Sequence, residues 1–308
     1  MLKWHQFAFW LAICCEITGW ASSGDASAGS APSGSPTEGS NGGSDADPYD
    51  SGTSSLELQG RLAIVTGGAS GIGRSVAMVL ARENVTVIVA DINKTGGDET
   101  IVYLKQLSSS LNHKAMYVDV RNSTLVDYLI KCIELEYSEN ISILVNSAGI
   151  LHPMTPLVNL TDDTFDDVIS TNLKGTFLVT KATVTHMLSR KVTGAAIVNI
   201  ASILGKGGFP RLSAYTASKG GVVAFTKAIA VELATLGIRV NAIQPGLTNT
   251  PMIQAYSNDT ILQRLEKMIP IRRIAEPLEI SETIVFMCSP KASYMTGSVV
   301  DVAGGTML

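Results

Sequence analysis

The sequence predicts an α/β fold built on a doubly wound parallel sheet in a single domain. Apolar runs of strand length alternate with amphipathic helical patterns over most of the chain. One such run, Arg61–Thr66, enters the glycine-rich stretch Gly67–Gly73, which opens a helical pattern through Glu83. An acidic residue, Asp91, follows the next apolar run, about 20 residues beyond the glycines. Sheets of this kind bind their ligands at the carboxyl ends of the strands.

The first residues of the chain lie outside the alternating pattern. Lys3 precedes the apolar run Phe7–Cys15, and small residues follow it around Ala21. A basic, an apolar and a small-residue region in this order predict a secretory signal peptide at residues 1–21. The apolar run is shorter than the roughly 18 residues of a spanning helix, so no stable membrane span is expected. An uncleaved membrane anchor and a cytoplasmic protein are the alternatives.

A compositionally biased segment follows at residues 22–56. It consists mostly of Gly, Ser, Ala and Pro, with several acidic residues and no basic one. So few apolar side chains cannot offset the entropy of ordering the chain, and the segment is therefore predicted to be a disordered acidic linker. The remaining residues, 57–308, form the predicted folded domain.

Composition narrows the classes of partner. The chain is 45% hydrophobic and 16% charged, with a net charge of −4 and charges of both signs interspersed. Such a surface lacks the basic stripe of a nucleic-acid-binding protein, so no nucleic-acid partner is expected. Cys132 and Cys288 lie in helical patterns, and the spacing of cysteines and histidines predicts neither a disulfide framework nor a metal site.

Six further strands follow the first along the chain: Val85–Ala90, Lys114–Val118, Ile141–Val145, Ala195–Ile200, Ile238–Ile243 and Ser298–Val302. Two long helical patterns, Thr164–Leu188 and Ser213–Leu236, lie between the later strands. Polar or turn-forming residues come directly after or near the ends of several strands: Asp91, Asp119, Asn146, Ser202 and Pro245. Because the strands are parallel, we expect these residues to meet at one edge of the sheet.

The glycine-rich stretch after the first strand is suited to a dinucleotide. Its glycines let the backbone turn tightly and approach a pyrophosphate, whose charge is stabilised at the helix N-terminus. Asp91 stands where a Rossmann-type fold places an acid for the ribose hydroxyls, and its carboxylate would repel the 2′-phosphate of NADP. These features predict NAD as the cofactor. For Asp91 alone, an acid that merely ends a strand is the alternative.

A tyrosine and a lysine four residues apart, Tyr215 and Lys219, share one face of a predicted helix. The pKa of a free tyrosine is about 10, and a nearby cation lowers it. We therefore expect Tyr215 to act as a general acid–base group, with Lys219 lowering its pKa and Ser202 donating a hydrogen bond to a substrate oxygen. Taken alone, the spacing also suits an ordinary amphipathic helix.

Several motifs together resemble the classical short-chain dehydrogenase/reductase family, over a stretch from Leu58 to Gly305. Three segments resemble its cofactor loop, its Asn-Asn-Ala-Gly element with one substitution, and its nicotinamide loop: Thr66-Gly67-x-x-x-Gly71-x-Gly73, Asn146-Ser147-Ala148-Gly149 and Pro245-Gly246-x-x-x-Thr250. Four residues match its catalytic tetrad: Asn172, Ser202, Tyr215 and Lys219.

The resemblance implies a role for each of these residues. Tyr215 would exchange the proton, Ser202 would polarise the substrate oxygen, and Asn172 would support a water relay. Lys219 would also bind the nicotinamide ribose. Asp119 and Val120 would contact the adenine. The cofactor site would comprise Gly67, Ser70, Gly71, Ile72, Gly73, Asp91, Asp119, Val120, Asn146, Ala148, Gly149, Tyr215, Lys219, Pro245, Gly246, Thr248 and Thr250.

These inferences predict an NAD(H)-dependent oxidoreductase that moves a hydride between nicotinamide and a secondary alcohol or ketone. A secreted scaffold without turnover and an NADP-dependent 3-oxoacyl reductase-like enzyme are the alternatives. By analogy the substrate pocket would lie among Leu151–Pro156, Ile203–Phe209 and a lid at Met252–Met268, with the substrate itself left open. Family analogy also implies a homotetramer paired through the two long helices.

Six Asn-x-Ser/Thr sequences accompany the signal-like N-terminus: Asn84, Asn93, Asn122, Asn140, Asn159 and Asn258. They predict a protein of the secretory pathway, glycosylated at some acceptors, with Asn140 and Asn159 favoured. Asn93 and Asn122 lie near the expected adenosine site, where a glycan would obstruct the cofactor. The alternative is that some acceptors arise by chance, with Thr95, Thr124 and Thr161 serving as helix caps or first-turn residues.

Overall fold

The computed structural model describes residues 56–255 and 259–306, without the side chains of residues 259–261. The predicted signal peptide at residues 1–21 lies outside the described residues. All residues of the predicted linker except Leu56 also lie outside the described residues. The same is true of Asn258 in the predicted lid. Predictions for these segments stay predictions.

In the part of the chain that the structure describes, seven parallel strands form one sheet in the order β3-β2-β1-β4-β5-β6-β7. The strands are β1 (Leu62–Thr66), β2 (Thr86–Asp91), β3 (Lys114–Tyr117), β4 (Ile141–Asn146), β5 (Ala195–Ile200), β6 (Ile238–Pro245) and β7 (Val299–Val302). All residues of β1 are buried, and successive side chains of a strand point to opposite faces, so helices cover both faces of the sheet. The predicted doubly wound fold is confirmed.

Helices fill the connections between the strands. They are α1 (Gly71–Arg82), α2 (Lys94–Leu107), α3 (Ser123–Glu136), α4 (Asp162–Ile169), α5 (Gly175–Ser189), α6 (Leu204–Gly207), α7 (Ser213–Ala234), α8 (Pro251–Gln254), α9 (Asp259–Met268) and α10 (Pro277–Cys288). Short 3₁₀ turns occur at Leu157–Asn159 and Pro290–Ala292. Within residues 56–255 and 259–306, no helix is both long enough and apolar enough to cross a membrane.

The order of the strands reverses between β1 and β4, and the polar strand ends meet there. Thr66, the last residue of β1, pairs in register with Asn146, the last residue of β4. Asn146 pairs in turn with Asn199 of β5. A crevice at such a reversal is the usual ligand site of a doubly wound sheet.

The prediction of one long regular helix at Thr164–Leu188 is wrong in one respect, because this stretch contains a wider turn. α4 and α5 are joined by a π-helical segment, Ser170–Lys174, in which the N–H of Gly175 donates to the carbonyl of Ser170 five residues earlier. The segment contains Asn172, whose amide bonds to the backbone of Ile150 rather than facing solvent. The wider turn therefore accommodates a side chain that is bonded outside the helix.

Candidate active site

A cleft of about 420 Å³ lies at the carboxyl ends of the strands. Its wall contains most of the predicted site residues: Gly67, Ser70, Gly71, Ile72, Gly73, Asp91, Asp119, Val120, Ala148, Gly149, Ser202, Tyr215, Lys219, Pro245, Gly246, Thr248 and Thr250. Asn146 and Asn172 are not part of this wall, since both are buried behind it. The fold thus gathers residues from six connections into one surface.

Two glycines of the loop after β1 stand where no side chain fits. A β-carbon on Gly73 would lie 2.1 Å from the carbonyl oxygen of Gly67, and one on Gly67 would lie 2.7 Å from the backbone nitrogen of Ala148. Gly67 also has φ = +66°, a conformation that other residues rarely adopt. The loop is therefore closed tightly against α1 and the segment after β4, and it presents bare backbone to the cleft.

The N-terminus of α1 faces this loop. Ser70 is its N-cap residue, in an extended conformation, and its side chain does not cap the backbone N–H groups of the first turn. Uncapped N–H groups at a helix N-terminus attract anions, and the helix dipole adds to that attraction. Together with the bare backbone of the glycine loop, this end of α1 fits the pyrophosphate of a dinucleotide.

Asp91 lies at the end of β2, half-buried in the cleft wall. One carboxylate oxygen accepts the N–H of Ala69 at 3.0 Å, and the other accepts the N–H of Asn93 at 2.8 Å. Each oxygen keeps a lone pair for a further donor. The carboxylate is therefore oriented by backbone groups and suited to accept hydrogen bonds from ribose hydroxyls.

An arginine that the sequence analysis did not single out, Arg121, lines the cleft beside Asp119. Its guanidinium pairs with Asp119 at 2.8 Å and reaches Asp167 of α4 at 3.2 Å. The hydrogen bond from Arg121 is the main cause that lowers the pKa of Asp119. The sequence signal was its position two residues beyond a strand-end acid.

Asn146 supports the site from below. Its amide nitrogen donates to Thr180 of α5 at 2.9 Å and to Asn199 at 2.8 Å, and Asn199 donates in turn to Thr226 of α7 at 2.9 Å. All four side chains are buried. This buried polar chain ties β4 and β5 to α5 and α7, so Asn146 acts on the cleft through its neighbours.

Ser202 and the helix that carries Lys219 are brought together by a close backbone contact. A β-carbon on Gly205 would lie 2.7 Å from the carbonyl carbon of Lys219 and 2.8 Å from the nitrogen of Gly220. Only a glycine lets α6 approach α7 this closely. The Ser202 oxygen accepts the N–H of Leu204 at 3.2 Å, which leaves its own hydrogen for another acceptor.

The Tyr215–Lys219 pair does not show the predicted electrostatics. The Lys219 ammonium donates to the carbonyl of Ile200 at 2.7 Å and lies 5.8 Å from the centre of the Tyr215 ring. Burial raises the pKa of Tyr215, and the hydrogen bond with Ser202 only partly opposes that rise. Burial also lowers the pKa of Lys219 to about 8. The expectation that Lys219 holds the tyrosine pKa below its ordinary value is therefore wrong here, because desolvation dominates.

Asn172 connects the site to its surroundings with both ends of its amide. The oxygen accepts the N–H of Ile150 at 2.8 Å, and the nitrogen donates to the Ile150 carbonyl and to the hydroxyl of Ser218, both at 3.0 Å. Gly149 packs against this amide and against the Lys219 ammonium. Asn172 thus positions the segment after β4 against α7, while its part in a water relay stays a prediction.

The expected substrate side of the cleft is only partly as predicted. Met252 lines it, as does Ile150, which the sequence analysis did not name; Ile203 is instead packed in the core. The N–H of Thr155 donates to the carbonyl of Arg211 at 2.9 Å, which fastens the two loops beside Tyr215 together. Among the described residues, no three metal-binding side chains gather into a site for a metal ion.

Comparison with known proteins agrees with this geometry. A family model described as enoyl-(acyl carrier protein) reductase matches residues 67–307. The (3R)-3-hydroxyacyl-CoA dehydrogenase of Homo sapiens is 36% identical over 256 residues, covering 82% of this chain and 97% of the relative.

Two solved structures share the fold at similar identity. A 3-ketoacyl-(acyl-carrier-protein) reductase from Brucella melitensis complexed with NADH has a TM-score of 0.76 and 30% identity, over 82% of this chain and all of its own. Actinorhodin polyketide ketoreductase with NADPH has a TM-score of 0.73 and 35% identity, over 80% of this chain and 96% of its own. With its glycine loop, with Ser202, Tyr215 and Lys219 in one cleft wall, and with this agreement over most of its length, the chain belongs to the classical short-chain dehydrogenase/reductase family.

Proposed function

We propose that this oxidoreductase uses NAD(H) to interconvert a secondary alcohol and its ketone, with Tyr215 as the acid–base group. The observation that carries the proposal is the placement of Ser202, Tyr215 and Lys219 in one wall of the cleft that also contains the glycine loop and Asp91. When bound, the nicotinamide would supply or accept the hydride at the substrate carbon. The protein's own groups hold the substrate oxygen and move its proton.

At neutral pH the Tyr215 phenol is protonated, the form needed to reduce a ketone. The phenol hydrogen passes to the ketone oxygen as the carbonyl carbon gains the hydride, and Ser202 donates a hydrogen bond to the same oxygen. In the opposite direction the phenolate oxygen of Tyr215 receives the hydroxyl proton, so oxidation first requires loss of the phenol proton.

The choice of NAD over NADP is supported by Asp91. Its carboxylate is fixed by two backbone N–H groups at the ribose end of the cleft, where a 2′-phosphate would meet its charge. Ser70 stands in the loop position where an arginine would favour NADP. NADP is the alternative cofactor. One relative was solved with NADPH, which favours this alternative, whereas another was solved with NADH.

A 3-oxoacyl or 3-hydroxyacyl thioester is the substrate class with the most support. One relative carries a 3-hydroxyacyl-CoA in its name, and another a 3-ketoacyl group on a carrier protein. The proposal is tested by following NADH and NADPH absorbance with a panel of 3-oxoacyl thioesters, cyclic ketones and polyols. Turnover of none of them, with NADH still bound, would favour the scaffold without activity.

We further propose that the protein enters the secretory pathway and carries glycans on only some acceptors. Asn140 is exposed on a loop, and Asn159 is exposed at the end of a 3₁₀ turn. Asn93 and Asn122 accept helix N-terminal N–H groups at α2 and α3, beside the cleft residues Ile92 and Arg121. The Thr161 side chain caps α4, as the alternative interpretation of that sequence expected. Glycosidase treatment and N-terminal sequencing after expression in a eukaryotic host test this.

A further inference from the structure

Arg74 carries a guanidinium that none of the functions above uses. It projects from the first turn of α1 and is largely covered, with 26% of its side chain exposed. One of its terminal nitrogens donates to the carbonyl of Ala69 at 2.6 Å and to that of Gly96 at 3.3 Å. Its Nε donates to the hydroxyl of Thr100 at 3.0 Å.

Thr100, on α2, completes the link. Its side chain is fully buried, and its hydroxyl lies 3.0 Å from the carbonyl of Gly68 and 2.9 Å from that of Gly96. A hydroxyl has one hydrogen to donate and can accept the Nε–H of Arg74 at the same time. Arg74 and Thr100 therefore join the glycine loop to the first turn of α2, without touching the cleft wall themselves.

The peptide groups of Ala69 transmit this link to the cleft. The carbonyl of Ala69 is held by Arg74, and its N–H donates to the carboxylate of Asp91 at 3.0 Å. Hydrogen bonds that involve a charged group are shorter and stronger than neutral ones, and both of these involve one. The orientation of the Asp91 carboxylate thus depends on a loop whose position Arg74 fixes.

We propose that Arg74 is a positioning residue that holds the Ala69 segment against Asp91 and so sets the discrimination between NAD and NADP. The inference rests on the proposed role of Asp91 at the ribose. A carboxylate held toward the ribose accepts its hydroxyls and repels a 2′-phosphate at short range. Once the Ala69 segment is no longer held, the Asp91 carboxylate can turn away from the ribose. NADH then loses a hydrogen-bond acceptor for its ribose hydroxyls, and the 2′-phosphate of NADPH is repelled less.

The test uses Arg74→Met, which keeps the apolar stem and removes the donors. Fluorescence titration of the whole protein should show that the Kd for NADH rises about tenfold, equivalent to about 1.4 kcal/mol. The ratio of the NADPH Kd to the NADH Kd should fall by about threefold or more. Thr100→Val should act in the same direction. Arg74→Lys should recover part of the ratio, because an ammonium can reach one carbonyl but cannot bond Thr100 as well.

Glu99 provides a matched control. Its carboxylate accepts from the same terminal nitrogen of Arg74 at 3.1 Å, and its side chain is 59% exposed. Glu99→Gln removes the charge but keeps an oxygen acceptor, so the bonds of Arg74 to Ala69, Gly96 and Thr100 should remain. This variant should keep the wild-type ratio of the two Kd values. If it shifts the ratio as Arg74→Met does, the effect is one of surface charge and the proposal is overturned.

Hydrogen exchange distinguishes an error in the positioning role of Arg74 from an error in the assignment of NAD as the cofactor. In the protein without added cofactor, the amide of Ala69 should exchange faster in Arg74→Met than in the wild type. Wild-type protein that binds NADPH more tightly than NADH would refute the NAD assignment alone. An unchanged Kd ratio together with unchanged exchange in Arg74→Met overturns the positioning role, and Thr100→Val decides the question if the arginine variant does not fold.

Discussion

At the scale of single residues, Lys219 is a buried cation whose hydrogen bond goes to a neutral carbonyl rather than to an acid. Burying a charge without a countercharge is costly, and this shows in its pKa of about 8. Burial of the Lys219 charge therefore lowers the stability of the fold next to Tyr215. The positive charge is useful there, because it favours any negative charge that develops on the phenol oxygen.

The first prediction concerns stability as a function of pH. Between pH 8 and about 10.5 the unfolded lysine binds more protons than the folded one, so the wild-type free energy of unfolding rises with pH through this window. Lys219→Met lacks the titrating group. Its stability relative to the wild type should therefore fall as the pH is raised from 8 to 10, measured by urea unfolding. A constant difference would show that the lysine has an ordinary pKa in the fold.

The second prediction concerns Tyr215. Tyr215→Phe removes the proton-transfer group and little else, so kcat should fall by about 10²–10⁴-fold, the usual contribution of a general acid–base group. The Kd for NADH should stay within about twofold of the wild type, since that change is small on the affinity scale. Steady-state kinetics with the best ketone of the panel measure the first quantity, and fluorescence titration measures the second. A variant with wild-type kcat would contradict the assignment.

The third prediction concerns cofactor choice. Asp91→Ala removes the repulsion of a 2′-phosphate, and Ser70→Arg adds a cation that can pair with it. The double variant should prefer NADPH, and calorimetric titration with both cofactors measures the change. Asp91→Asn is the matched control, because it keeps the shape and the oxygen acceptor but loses the charge. It should shift the preference less than the double variant does.

Much of the site was predictable from the residues, but its energetics were not. Glycines, an acid after a strand, and a tyrosine four residues before a lysine are local signals, and all of them lie in one cleft. The pKa values depend on burial, which the fold as a whole creates, so the predicted lowering at Tyr215 was wrong. Arg121 was missed although it stands two residues beyond Asp119. Arg74 was missed because its bonds to Gly96 and Thr100 join segments 22 and 26 residues apart, which no local spacing reveals.

At the scale of elements, the junction of α6 with α7 and the wide turn between α4 and α5 decide where Ser202, Lys219 and Asn172 lie. The strand limits were predictable within two residues, since apolar runs mark them. The wide turn was not, because its residues continue the helical pattern and its cause is the bond from Asn172 to a loop after another strand. A hydrogen bond to a distant segment does not change the periodic pattern of apolar residues in the sequence.

The fourth prediction tests the α6–α7 junction. Gly205→Ala would press its methyl group onto the backbone of Lys219 and Gly220, and overpacking of this kind typically costs about 1–3 kcal/mol. Because the displaced backbone carries Lys219, kcat should fall as well. Gly208→Ala is the contrast: it meets no atom within 4 Å but has φ = +79°, so it should lose stability with little change in kcat. Equal losses of kcat in both variants would contradict this account.

At the scale of the whole molecule, the two long helical elements leave apolar side chains in solvent. Phe177 and Leu188 on α5 are each 42% exposed, and Val231 on α7 is 79% exposed. Exposed apolar groups on neighbouring helices favour association, and most homo-oligomers pair about two-fold axes. These residues support the expected homotetramer, in which α5 and α7 would meet their copies.

The fifth prediction is therefore a concentration-dependent assembly. Light scattering at micromolar concentration should give the mass of a tetramer, and Val231→Glu should shift the protein toward smaller species, because a charge would be buried in the contact. Lys105→Glu, at an exposed position on α2, which is not one of the two helices expected to pair, serves as a charge-changing control and should keep the wild-type mass. A wild-type monomer at these concentrations would rule out the assembly.

The buried polar chain through Asn146, Asn199 and Thr226 bears on how such an enzyme can change its chemistry over time. It ties β4 and β5 to α5 and α7, and none of its members belongs to the segments predicted to border the substrate, residues 151–156 and 252–268. Mutations in those segments do not have to disturb the amide chain. We therefore expect that exchanging these segments changes the substrate range while the amide chain stays in place.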